Sequence, residues 1–133
     1  MLNSEIAQNS IYFAQDFRRD YDAHIYYDET TRDQALALRD LALKNFKDRP
    51  VFISRMVDHR VGPHPLPMFE INFSKELFPE ALEWLKQNRK NLTILVHEVT
   101  GDDPKDHSEG ALWLGDALPL DFSKLDPSPL KKS

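Results

Sequence analysis

The sequence predicts an α+β protein with a ferredoxin-like arrangement, and three observations carry that prediction. Four short segments are rich in β-branched and aromatic residues, two longer ones carry apolar residues at helical spacing, and they alternate as strand, helix, strand, strand, helix, strand. In this βαββαβ order two helices cover one face of a four-stranded antiparallel sheet, with the first strand between the third and fourth.

Taken in order, residues 1–20 are polar with scattered Ile6, Ile11, Tyr12, Phe13 and Phe17, and are expected to form an N-terminal extension. The domain proper is expected over residues 21–121. "YDAHIYYD" (21–28) has the composition of a strand. Thr31 followed by Gln34 is a capping-box pattern, after which Ala35, Leu38, Leu41, Ala42 and Phe46 recur at helical spacing. The helix must end before Pro50, because the residue preceding a proline avoids helical geometry. "VFISRMV" (51–57) reads as the second strand and "PMFEINF" (67–73) as the third, with Pro67 tolerable only at its start. Ser74 to Lys90 carries the wide apolar stripe Leu77, Phe78, Ala81, Leu82, Trp84 and Leu85. Pro79 is awkward inside that helix and suits its first position. "LTILVHEV" (92–99) is the fourth strand, bounded by a turn-like "TGDDP", and "ALWLGDALPLDF" is apolar enough to pack as an additional short strand. Residues 122–133 read as a loose C-terminal tail.

Composition narrows the function. Hydrophobic residues make up 41% and charged residues 29%, and the formal net charge is −5, which argues against a nucleic-acid surface. The chain has no cysteine, so thiolate ligands and cysteine nucleophiles are ruled out and a reducing, cytoplasmic setting is expected. No apolar run is long enough for a membrane span or has the form of a signal peptide.

Side chains alternate across a strand with period two. Ala23, Ile25 and Tyr27, Phe69, Ile71 and Phe73, and Leu92, Ile94 and Val96 form the sets that must face the helices. His24, Glu70 and His97 then share the opposite face on three neighbouring strands. Two imidazoles and a carboxylate are the ligand set of a non-heme iron(II) facial triad. An ordinary solvated sheet face is the alternative.

Four segments in order, "YDAHIYYD", "VGPHPLPMFEINF", "EALEWLKQNR" and "ILVHEVTGDDPKDHSEGALWLGDALPLD", resemble the DOPA 4,5-dioxygenase family of short aromatic ring-cleaving enzymes. The GPHP element and the VTGDD…DH…ALWLG run are the most specific pieces. Glu98 stands where the family commonly has proline. The resemblance implies a ferredoxin-like enzyme that opens a small catechol such as DOPA beside one hydroxyl, using O2 and non-heme Fe(II), for which zinc or nickel would substitute in a crystal. The match includes His24, His64, His97 and His107.

On this reading His24, His97 and Glu70 bind the iron. His64 and His107 are the candidates to take a catechol proton and steady reduced oxygen. A three-histidine site, with His64 as third ligand and Glu70 behind, stays open. Pro63 and Pro65 would hold His64 in place. Asp102, Asp103 and Asp106 are expected near His107. Tyr26 shares the active face, Arg55 and Arg60 are candidate anchors for a substrate carboxylate, and His59 reads as surface. A non-catalytic ligand-binding module and a metal-dependent hydrolase or other oxygenase are the competing functions. Two-fold association through sheet edges or the open face is expected, giving a homodimer.

Overall fold

Strand pairing fixes the architecture. In a computed structural model that describes residues 18–125 and the short strand Ile11–Tyr12, the strands are β1 (Ile11–Tyr12), β2 (Tyr21–Tyr26), β3 (Val51–Ile53), β4 (Met68–Phe73), β5 (Ile94–Glu98) and β6 (Ala111–Leu114). They form one six-stranded antiparallel sheet in the order β1-β3-β4-β2-β5-β6. Its inner four, β3-β4-β2-β5, are the ferredoxin-like order expected from the sequence, with the first strand of the repeat between the third and fourth. The helices are α1 (Arg32–Asn45), α2 (Phe78–Asn88) and the single turn α3 (Asp103–Asp106). Ile6, Phe13, Phe17 and the tail beyond Leu125 lie outside the described residues.

The apolar sets behave as alternation requires. Ala23, Ile25, Tyr27, Phe69, Ile71, Phe73, Leu92, Ile94 and Val96 join Ala35, Leu38, Ala42 and Phe46 of the first helical segment in one core. Leu77, Ala81 and Leu85 close it from the second, with Trp84 packed edge-on to Phe46. Each of the Val, Leu, Ile and Phe side chains among them, fully buried, contributes roughly 1.5–3 kcal/mol. The two helices therefore occupy one face and leave the other for chemistry.

Local departures have local causes. Thr31 precedes α1 but makes no side-chain cap; its hydroxyl accepts from the Asp28 amide at 2.9 Å, while Asp28 Oδ1 accepts from the Thr30 and Thr31 amides. An Asx turn thus replaces the expected capping box. β3 ends at Ile53 because Ser54 inserts its hydroxyl into the ladder and accepts from the Glu70 amide at 2.8 Å, and pairing resumes only at the Val57–Met68 bridge. Pro79 lies in the first turn of α2, where its missing N–H costs nothing, after a 3₁₀ turn at Lys75–Leu77.

Candidate metal and substrate site

β2 lies at the centre of the face away from the helices, and its side chains seed the site. Register sets Asp22 opposite His97 on β5 and opposite Asn72 on β4, and sets His24 opposite Glu70. His24 and His97 are diagonal neighbours, and their Nε2 atoms lie 3.1 Å apart. Two loops complete the cluster. The His64 ring centroid lies 4.3 Å from that of His24, and the His107 centroid 4.3 Å from that of His97. All four histidines are buried and line one cavity of about 370 Å³, a size suited to a small aromatic.

Backbone geometry explains the two loop histidines. Gly62, at φ +56°, allows the tight turn closed by the His64 amide on Val61 O at 3.1 Å. Pro63 is buried beside it, and its carbonyl accepts from the Asp121 amide at 2.9 Å. The "GPHP" frame is therefore held by one bond inside its own turn and one from the segment at Asp121. Asp106 organises the second loop: its buried carboxylate accepts from the amide and hydroxyl of Thr100. His107 is oriented by the backbone carbonyl of Asp103 at 2.8 Å, so a carbonyl rather than an acidic side chain holds the ring.

The ring hydrogens follow from these partners. A carbonyl only accepts, so His97 Nδ1–H donates to Glu98 O at 2.9 Å and His107 Nδ1–H donates to Asp103 O. Both rings then carry a bare lone pair on Nε2. Facing such a lone pair, His24 Nε2 has to carry its hydrogen, which leaves Nδ1 bare. Among the described residues Nδ1 is indeed buried without a hydrogen-bond partner, 3.7 Å from the Glu70 carboxylate. Such an orphaned atom is costly. A cation shared by the two Nε2 atoms removes the cost: the His24 hydrogen moves to Nδ1, toward Glu70, as ligating histidines usually donate to a nearby carboxylate. A separation of 3.1 Å also suits two nitrogens each about 2.1 Å from one ion. The residues fit a divalent metal.

Electrostatics agree. Burial holds His24 well below its ordinary value, with His64 next among the causes, and burial lowers His97 as well. His64 is pushed down to about 4 by burial and by its histidine neighbours. Neutral imidazoles are the form that binds metal. Burial, then Asp22, raises the Glu70 carboxyl.

Two sets of donors lie close enough to share an ion: Asp22 with His24 and His97, and His24 with His64 and His107. The carboxylate brought to both imidazoles is Asp22, 4.0 Å from His97 Nε2 and already accepting from Arg19 and Asn72. Glu70, expected as a direct ligand, stands behind His24 at its Nδ1 side. Asp22 was legible in principle, being two residues before His24 on the same strand face.

The remaining candidates divide. Tyr26 is buried and hydrogen-bonds His64 Nδ1 at 2.7 Å. It backs the site with Met68, Leu95, Leu66, Trp113, Leu118 and Leu120 in a second small core. Arg60 lines an adjoining chamber of about 500 Å³ that shares His64, Pro63 and Lys124 with the site. Arg55 lines neither chamber, and His59 is exposed.

This constellation has relatives. Residues 21–124 match the Dopa 4,5-dioxygenase family. The chain is 32% identical over 115 residues to a DOPA 4,5-dioxygenase of Amanita muscaria, covering 80% of this chain and 50% of that protein. It is 38% identical over 112 residues to an uncharacterized 21.2 kDa protein of Botryotinia fuckeliana, covering 77% and 61%. The chain thus spans half to three-fifths of the length of these curated relatives. A crystal structure from Nostoc punctiforme, described as that of a candidate dioxygenase, superposes with a TM-score of 0.72 at 38% identity, covering 79% of this chain and 89% of that one. With the match covering most of its length, and with the histidines of the match gathered around one cavity, the chain belongs to the Dopa 4,5-dioxygenase family.

Proposed function

We propose that this protein is an extradiol ring-cleaving dioxygenase acting on a small catechol such as DOPA with O2 and non-heme Fe(II). The observation that carries the proposal is the pairing of His24 and His97 through facing Nε2 atoms, with Asp22 beside them, in a chain of this family. Asp22, His24 and His97 would hold the ion, and Glu70 would accept from His24 Nδ1–H. Bound there, iron(II) supplies the electron path between a catecholate and O2 that side chains lack. The chain's own residues do the rest. His64, beside His24, and His107, beside His97, line the same cavity and act on the substrate's protons and oxygens. The second core behind Tyr26 and Trp113 keeps water from the sheet side of the site. Arg60, which lines the adjoining chamber, would pair with an anionic substituent of the substrate.

Anaerobic loading with Fe(II), followed by DOPA or caffeate and air, tests the proposal. The expected result is a yellow ring-opened product with one O2 consumed per catechol. Tight catechol binding with no oxygen uptake would instead identify a binding module.

A further inference from the structure

The Nδ1 partners divide the four imidazoles into two kinds. His97 and His107 each give their Nδ1 hydrogen to a carbonyl, so both present a lone pair at Nε2. His64 is different: its Nδ1 meets a hydroxyl, Tyr26 Oη at 2.7 Å, and a hydroxyl donates as readily as it accepts. Direction is settled by the phenol's needs. Tyr26 is 2% exposed, and among the described residues its hydroxyl has His64 Nδ1 as its one hydrogen-bond partner. Were Tyr26 to accept, its own hydrogen would be buried without an acceptor, a loss of roughly 1–3 kcal/mol. Tyr26 therefore donates, Nδ1 accepts, and the His64 ring hydrogen resides on Nε2, on the ring that lines the cavity.

We infer that Tyr26 is a positioning residue that fixes His64 as a neutral hydrogen-bond donor toward an oxygen atom of the bound catechol or O2, and so excludes His64 from the metal's ligands. The inference rests on the proposed metal site and deepens it, since it selects between the two donor sets that share His24. For His24 a metal on Nε2 sends the ring hydrogen to Nδ1, toward the Glu70 carboxylate. The same shift in His64 would turn Nδ1 into a donor and leave the buried Tyr26 hydroxyl hydrogen without an acceptor, which disfavours the set containing His64. A neutral imidazole donating N–H stabilises negative charge growing on an oxygen without itself giving up the proton. No bond to hydrogen is broken in this role. It also gives the stiff frame of Pro63 and Pro65 a purpose, because a donor stabilises developing charge only when it is aimed in advance.

The test reads the ring hydrogens directly. Metal-free protein with 15N-labelled histidine gives long-range 1H–15N correlations that distinguish Nδ1–H from Nε2–H rings, with His64→Gln assigning the His64 signals. The expected result is Nε2–H at His64 and Nδ1–H at His97 and His107. Tyr26→Phe should leave His64 distributed between both forms. Zinc titration supplies a second readout: affinity in His64→Gln and Tyr26→Phe should stay within about threefold of the original, whereas His24→Gln and His97→Gln should lose on the order of a hundredfold or more. An Nδ1–H ring at His64, an unchanged His64 pattern in Tyr26→Phe, or a zinc loss in His64→Gln equal to that of His24→Gln overturns the inference. If the unmodified protein takes up no zinc, the proposed metal site fails instead, and the ring-hydrogen pattern alone decides the role of Tyr26.

Discussion

His24 Nδ1, buried and without a hydrogen-bond partner among the described residues, is the atom on which the metal reading turns. If Glu70 serves to receive its hydrogen once an ion sits on Nε2, Glu70→Gln should weaken zinc or iron affinity by about 10- to 100-fold without abolishing it. Asp22→Asn should cost more, because Asp22 is a proposed ligand grouped with His24 and His97. Isothermal titration of both variants checks the order. The lowered imidazoles also set a pH dependence for the metal-free protein. Unfolded histidines protonate near 6.5, whereas folded His64 does so only near 4, and His24 and His97 are likewise held down. Between those values the unfolded chain binds more protons, so stability falls as pH drops from about 6.5 toward 4. His64 accounts for about 3 kcal/mol of that loss, and urea melts of the metal-free protein and of His64→Gln across this window should show the variant's smaller slope. At this scale the sequence was only partly legible. His24 and His97 follow from strand parity. That Asp22 rather than Glu70 lies within reach of both His24 and His97 did not, because it depends on which ring nitrogen faces which neighbour, and parity puts both carboxylates on one face.

Among the elements, strands and helices emerged near their expected bounds because period-two and helical patterns are strong where one face is buried. "VFISRMV" broke at Ser54 because a side-chain hydroxyl replaced a ladder partner, which strand propensity does not reveal. The sheet face opposite the helices departed most from a simple reading. Leu95 alternates with polar residues, yet it is fully buried, covered by β6 and the segment after it through Trp113, Leu118 and Leu120. "ALWLGDALPLDF" looked able to pack; what it packs on depends on long-range pairing with β5. Leu95→Ala should therefore destabilise the protein by about 2–5 kcal/mol, as expected for a core leucine, and urea denaturation measures it. A cost below about 0.5 kcal/mol, typical of a surface change, would mean this second core does not support the site.

For the whole molecule, a one-sided arrangement of helices divides the labour: one face folds the chain, and the other gathers Asp22, four histidines and two chambers. Among the described residues no helix is long and apolar enough to cross a membrane. Family membership agrees with the order of elements, and the segments that carried the resemblance in sequence are those that supply the site's side chains. What stands between this arrangement and catalysis is one ion. Crystals grown anaerobically with Fe(II) and measured above and below the iron absorption edge test that most directly. A single anomalous peak is expected within about 2.3 Å of His24 Nε2 and His97 Nε2, with Asp22 as the nearest carboxylate. Iron bound elsewhere, or a cluster that remains without metal while His24 Nε2 still donates to His97, would contradict it.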